Sequence, residues 1–524
     1  MRGATERGPS AVTVPNGASV SAAPARVLDA LRSPRLLTRE ALAGLVVALA
    51  LIPEAISFSI IAGVDPRVGL FASFTMAVTI AIVGGRPAMI SAATGAVALV
   101  IAPLVKSHGV DYLVAAVLLG GVIQIVLGLA GFAKLMRFVP RSVMVGFVNA
   151  LAILIFIAQL PHLIDVPWMV YPLVAVGIAV IVLLPKLTKA VPSPLVAIVL
   201  VTAAVLIAGI AVPTVGDEGA LPHGLPVPGI PQVPFTLETL GIIAPYALGL
   251  AVVGLLESLM TARLVDEITE TRSSATREAW GQGVANLVTG VFGGMGGCAM
   301  IGQTMINVRA SGARTRISTF LAGVFLLILV VVLGDVVAII PMAALVAVMV
   351  MVSVGTFDWH SIRPSVLRRM PLGETTVMVV TVAVVVATSN LAIGVGVGVL
   401  VAAVIFARRV ARFATVHREA VEPAGDAVLV RYRVEGELFF ASSNDLVSRF
   451  DYAADEAAGG AAGGAGVDVE IDLSASHIWD ASTVVALDAV TRRYAQHGIE
   501  PRVVGLNAPS AALRERLGGV LAGH

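Results

Sequence analysis

The chain has 524 residues, 57% of them hydrophobic and only 13% charged, with a net charge of +1 and a mean hydropathy of +0.93. An average soluble domain is about a quarter charged, so most of this chain belongs in lipid, and its near-neutral balance gives no reason to expect nucleic acid as a partner. The single cysteine, Cys298, rules out an intrachain disulfide.

Met1 to Arg39 is polar, rich in Ala, Ser, Pro and Arg, and precedes any apolar stretch; without an apolar h-region it does not read as a signal peptide. Residues 1–38 read as a mobile cytoplasmic tail. With about 20 residues per crossing, hydropathy places helices near 41–62, 68–84, 92–107, 113–132, 143–160, 168–185 and 194–212. A second set follows near 241–262, 281–295, 302–312, 317–333, 337–355, 374–389 and 391–407. The expected fold is therefore an α-helical polytopic membrane protein of 14 segments, with repeats at about 41–212 and 241–407 and a membrane domain over 39–412. The linker Val212 to Glu238 is rich in Pro and Gly and has no Lys or Arg. An odd number of crossings per repeat inverts the second relative to the first. With the N-terminus inside, every Lys and Arg between Ala41 and Arg412 falls on the cytoplasmic side except Arg67 and Lys106, as the positive-inside rule requires.

Two apolar segments at matching places in the repeats are interrupted by small residues: Ile90 to Leu99 (ISAATGAVAL) and Gly297 to Ile306 (GCAMIGQTMI). Both contain Ala-x-x-Gly, at Ala92 to Gly95 and Ala299 to Gly302. In a membrane chain such paired breaks mark a transporter's substrate site, because each exposes free backbone groups at mid-bilayer. A helix starting there presents unpaired N–H groups and about half a positive charge, so two opposed starts supply about one unit together. That suits a small oxyanion. Expected contacts are Ala93, Thr94, Gly95, Ala299, Met300, Gly302 and Gln303, with Thr94 and Gln303 adding side-chain donors. The competing reading of the glycines is close helix packing.

Glu257 sits in the middle of ALGLAVVGLLESLMTA. A carboxylate at the bilayer centre costs about 2.5–3.5 kcal/mol, so it is expected to face a cavity or a bound cation. Thr261 follows one turn on, on the same face. With unwound carbonyls around Ala299 to Gly302, Glu257 and Thr261 would form an all-oxygen sodium site; alternatively a proton sits on the carboxyl, or a protonated Glu257 is interhelical glue. An ionised Glu257 beside an anion leaves the site negative unless a cation joins it, which would couple the two. The intramembrane amides Gln124, Asn149 and Gln159 are expected to make helix–helix hydrogen bonds, and Cys298 to be a small buried residue. Asp266, Glu267 and Glu270, intermixed with Arg263 and Arg272, read as a solvated helix end.

After Arg412 the composition is that of a soluble α/β domain, 413–524. Ala427 to Val434, Glu437 to Phe440 and Val467 to Leu473 read as strands, and Ser482 to Gln496 and Ala511 to Leu517 as helices. Glu456 to Gly466 (EAAGGAAGGAG) reads as a flexible loop.

The runs IPEAISFSIIAG (Ile52 to Gly63), GLLESLMT (Gly254 to Thr261) and FGGMGGCAMIGQTMINVRASGARTR (Phe292 to Arg316) resemble the sulfate permease (SulP) family of anion transporters, nearest in look to its sodium-dependent bicarbonate branch. DLSASHIWDASTV (Asp472 to Val484) resembles the STAS domain of that family. The resemblance implies a seven-plus-seven inverted repeat, a core of helices 1–4 and 8–11 moving against a gate of helices 5–7 and 12–14, and a homodimer in the inner (plasma) membrane with the STAS-like domain cytoplasmic. It adds Ser57 and Phe58 to the substrate contacts, with Glu54 beside them either at the site or solvated near a helix end. In the bicarbonate branch an Asp takes the place of Glu257. Ser482 matches by position the phosphorylatable serine of bacterial anti-sigma antagonists, although Ala481 and Thr483 depart from that motif; it otherwise caps the helix that follows. No catalytic constellation is present, and no cofactor is expected beyond a possible sodium ion. The expectation is a secondary transporter of bicarbonate or sulfate, coupled to sodium or protons. The alternatives are a proton-coupled dicarboxylate carrier and a membrane-anchored STAS regulator.

Overall fold

The computed structural model describes residues 27–188, 192–222, 224–411, 414–424, 427–443, 446–461 and 466–518. The chain divides into two compact units at Gly398/Val399.

The first unit is helical. Its long elements are α1 (Pro34–Ala62), α2 (Pro66–Val83), α3 (Gly95–His108), α4 (Val110–Leu129), α5 (Arg141–Ile157), α6 (Val170–Leu187) and α7 (Ser193–Ala208). They are followed by α8 (Leu237–Thr269), α9 (Ala275–Val291), α10 (Ile301–Met305, continued by a π turn at Ile306–Ala310), α11 (Arg316–Val332), α12 (Met342–Thr356) and α13 (Leu372–Thr388), and by α14 (Leu391–Ala411), which runs across the division. Among the described residues, seven helices are long and apolar enough to cross a membrane. Local chemistry sets the ends: Pro opens α1 and α2, Gly63 at φ 76° closes α1, and the Thr236 hydroxyl caps α8. The segment expected at 337–355 is split, with a short turn at Gly334–Ala338 and α12 beginning only after Pro341.

The helices pack in two groups. α1–α4 lie against α8–α11, most closely in the pairs α4/α9, α11/α1 and α11/α2, whereas α5–α7 lie against α12 and α13. Between α2 and α3, and between α9 and α10, the chain is extended as β1 (Ser91–Ala92) and β2 (Cys298–Ala299). These pair antiparallel, Ser91 with Ala299 and Ala92 with Cys298. Two residues from each repeat thus pair with two of the other, giving backbone groups partners that lipid would not supply.

The arginine-rich end of this unit is tied rather than merely solvated. Arg86, with a side chain only 5% exposed, pairs with Asp266 at 2.8 Å. Glu278 accepts from the backbone N–H groups of Gly85 and Arg86, and Glu40 from those of Arg314 and Thr315 at the start of α11. Arg277 and Arg316 donate to the last carbonyls of α2. Asp266 is therefore half of a partly buried ion pair, a correction to its reading as part of a solvated helix end. Lys189 and Arg412, both used for the topology, lie outside the described residues.

The second unit contains a four-stranded sheet, β3 (Thr415–Ala424), β4 (Ala427–Leu438), β5 (Gly466–Ile478) and β6 (Arg502–Val504), in that spatial order. β3/β4 is antiparallel, and β4/β5 and β5/β6 are parallel. Helices α15 (Tyr452–Ala461), α16 (Ala481–Gln496) and α17 (Ala508–Leu517) accompany it. The core is built from Val430, Tyr432, Ile471, Leu473, Leu487 and Tyr494. Within it the fully buried Asp455 accepts hydrogen bonds from the Tyr432 and Tyr494 hydroxyls, both at 2.7 Å, and from Arg418 at 2.9 Å. Three expectations change here. Glu437 and Leu438 finish β4 and Phe440 opens a short helix, so no separate strand exists there. Glu456 to Ala461 belongs to α15 and Gly466 to β5, while 462–465 lie outside the described residues. The cap of α16 is Asp480, whose carboxylate accepts from the Thr483 N–H at 3.1 Å; Ser482 is exposed in the first turn and caps nothing.

Candidate functional site

A small cavity of about 90 Å³ lies where α3 and α10 begin, between the two helix groups. Thr94 and Gly95 from the start of α3, and Met300 and Gly302 from the start of α10, line it together with Phe58 of α1. Two carboxyl groups reach it, Glu54 from α1 and Glu257 from α8, and no Lys or Arg does. Phe147, Leu151 and Ile155 of α5 close the opposite wall.

Several expected contacts are placed elsewhere, each for a visible reason. The Ala93 N–H donates to Ser73 Oγ at 3.2 Å and the Ala299 N–H to Ser258 Oγ at 3.0 Å, so neither is free for a ligand. The Met300 N–H donates to the Ile90 carbonyl, although Met300 still lines the cavity. Ser57 Oγ donates to the Pro53 carbonyl at 2.8 Å, inside α1. Gln303 is buried and lies off the cavity, its Oε1 without a hydrogen-bond partner among the described residues. Thr261 is fully buried, off the cavity, and donates to the Glu257 carbonyl at 2.8 Å rather than flanking its carboxylate. The amide donors of cavity-lining residues are instead those of Gly95 on α3 and of Ile301 and Gly302 on α10, which as first-turn residues have no carbonyl one turn back to bond.

Two residues gain roles. Glu54 faces the cavity, which settles its position away from a solvated helix end. Cys298, in β2, places Sγ 3.0 Å from Glu257 Oε2 and 3.1 Å from Thr94 Oγ1, so the thiol joins the carboxyl to the cap of α3. No sequence pattern signalled that bridge; it arises only when the repeats meet. Gln124 and Asn286 hold the break from behind: Asn286 donates to Gln124 Oε1 and exchanges two hydrogen bonds with the backbone of Gly297. Asn149 fixes the turn after α12 through Ser361 and the Asp358 N–H, and Gln159 donates within α5.

Gly297 and Gly302 show what the breaks demand. A Cβ at Gly297 would lie 2.0 Å from the Ala92 carbonyl oxygen, so only glycine admits the bridge, whereas a Cβ at Gly302 meets nothing within 4 Å and looks into open space. A second cleft, of about 460 Å³, shares Val148 and Ile301 with the cavity and leads to the arginine-rich end past Arg141, Arg263, Glu267 and Asp358.

The sulfate permease family model matches residues 37–172 and 165–381, and the STAS domain model matches 419–519. The chain belongs to the sulfate permease family. A putative sulfate transporter of Bacillus subtilis, YbaR, is 52% identical over 479 residues, covering 91% of this chain and 96% of its own. The bicarbonate transporter BicA of Picosynechococcus is 27% identical, covering 61% and 62%. In fold, the transmembrane domain of a cyanobacterial BicA superposes with a TM-score of 0.61 at 24% identity, over 69% of this chain and 98% of that one. Murine Slc26a9 in its inward-facing state superposes with 0.76 at 18% identity, over 93% and 88%. This member of the family is accordingly a multi-pass membrane transporter with a C-terminal STAS domain, and its named relatives are transporters, not enzymes.

Proposed function

We propose that the chain carries a small inorganic oxyanion, bicarbonate or sulfate, together with a cation, by moving the group α1–α4/α8–α11 past the group α5–α7/α12–α13. The observation that carries this reading is one cavity holding two opposed helix starts and two carboxyl groups with no basic side chain. The helix starts offer about one unit of positive charge. Two ionised carboxylates would cancel that twice over, so an anion is welcome only when cations accompany it.

The geometry favours a proton over sodium as that cation. Sodium, a hard ion, takes oxygen ligands; the Glu257 carboxyl instead meets the Cys298 thiol at 3.0 Å, and Thr261, the hydroxyl expected to complete a sodium site, donates to the Glu257 backbone carbonyl. The cavity volume of about 90 Å³ falls far below the roughly 300 Å³ at which organic-ligand pockets begin, which favours an inorganic anion over a dicarboxylate. A regulator without transport has no use for paired carboxyls at mid-membrane. The cleft past Arg141 and Arg263 is read as the cytoplasmic exit, the STAS domain as cytoplasmic, and the molecule as a homodimer in the plasma membrane.

The test is uptake of labelled bicarbonate and of sulfate into proteoliposomes, with sodium and proton gradients imposed separately. The expected result is acceleration by an inward proton gradient that disappears in Glu257→Gln. Retention of the full gradient response in that variant rejects the coupling scheme.

A further inference from the structure

Away from the substrate cavity, a cleft of about 670 Å³ opens at the arginine-rich end between the start of α1, the π turn after α10 and the start of α7. Its α1 wall is one continuous helical stripe. Arg35, Arg39, Leu42 and Val46 follow at intervals of four, three and four, so all point the same way. The two cations sit at the helix end and the two aliphatic residues lie inward, the stripe spanning about 16 Å along the axis. Among the described residues neither Arg35 nor Arg39 has an ion-pair or hydrogen-bond partner, in contrast to Arg86, Arg277, Arg314 and Arg316 nearby, all of which are engaged. The facing wall adds Ser193, the first residue of α7, whose N-terminus no side chain caps, and Ile306.

We propose that this cleft binds one anionic phospholipid, its phosphate held by Arg35 and Arg39 and its acyl chain laid along Leu42, Val46 and Ile306. The charge decides the headgroup: two unpaired guanidinium groups and a helix N-terminus converge without a carboxylate in the lining. The length and apolar character of the inner wall decide for a lipid over a free anion, which would gain nothing from Leu42 and Val46. Basic groups at the membrane surface meet the leaflet where anionic lipids concentrate. The cleft also joins helices of different groups, α1 and α10 on one side and α7 on the other, so the lipid spans the seam along which the proposed movement occurs.

The experiment is native mass spectrometry of the full chain released from mixed micelles containing phosphatidylglycerol and phosphatidylcholine with identical acyl chains. The expected result is selective retention of one phosphatidylglycerol. Arg35→Gln/Arg39→Gln should lower that retention about twenty-five-fold, at about fivefold per arginine, with phosphatidylcholine binding and the thermal transition in phosphatidylcholine micelles unchanged. Val46→Trp, which fills the apolar wall and keeps both arginines, should lower it as well, and decides the matter if the double variant does not fold. Equal retention of phosphatidylglycerol by the wild type and by either variant overturns the proposal. Full displacement by millimolar glycerol 3-phosphate assigns the cleft to a free phosphate compound and overturns the lipid.

Discussion

Replacing Gly297 with alanine puts a methyl carbon 2.0 Å from the Ala92 carbonyl oxygen and 2.7 Å from its carbon. Both obstacles are backbone, so no side chain can swing aside. Relief to an ordinary contact of about 3.5 Å requires β1 and β2 to part by more than about 1 Å. Parting them breaks the Ala92/Cys298 pairing and tilts the starts of α3 and α10 away from each other. Overpacking of this kind costs about 1–3 kcal/mol, and a misplacement of about 1 Å at an aligned site lowers its rate by about a hundredfold. The assay is initial uptake of labelled bicarbonate or sulfate in proteoliposomes alongside thermal unfolding, with Gly302→Ala for comparison. Gly302→Ala has no clash to relieve, so it should melt within about 0.5 kcal/mol of the wild type while weakening apparent anion affinity, because its methyl enters the cavity. Wild-type uptake and melting by Gly297→Ala would refute the idea that the close backbone crossing aligns the two helix starts.

Cys298→Ser should keep near-normal uptake because a hydroxyl can still bridge Thr94 and Glu257, whereas Cys298→Ala should shift the pH profile of uptake and lower the rate; identical profiles for the two would contradict the bridge. In the second unit, Tyr494→Phe removes one donor from the fully buried Asp455, an expected loss of about 1–3 kcal/mol read as faster hydrogen exchange of α15 amides in the full chain. The Ser474 N–H at 2.8 Å holds the Asp472 carboxyl below its ordinary 3.8. A depressed native value means the contribution is complete above pH 3.8 and is lost as pH falls below 3.8 through the lower native pKa. Asp472→Asn should therefore flatten the acid limb of the second unit's unfolding followed by hydrogen exchange, and an unchanged acid limb would discount the contact.

Much of the helical framework was legible because apolar runs in lipid have few alternatives. The short third and tenth segments were visible through their small residues, and they start at Gly95 and Ile301, within a few residues of the reading. The correspondence of the two breaks was legible too, as matched Ala-x-x-Gly runs, but not the antiparallel backbone pairing between them. What was not legible depends on partners distant in the chain. Whether the Ala93 and Ala299 amides are free turns on Ser73 and Ser258, which belong to neighbouring helices. The aim of Glu54 depends on the rotation of α1, and the work of Cys298 on where the second repeat sets β2 against α3. In the second unit, β3 carries its charges in an alternation too irregular to stand out and β6 is only three residues long, so both emerge only from pairing with β4 and β5.

The two-residue crossing of β1 and β2 has a mechanical corollary. Because each interrupted helix is stitched to its counterpart in the other repeat, neither can withdraw by itself without stranding amide and carbonyl groups in hydrocarbon. In the transport cycle proposed above, cargo held between them is therefore let go not by prying the pocket apart but by carrying the whole pocket, passenger included, until a different face of the bundle uncovers it.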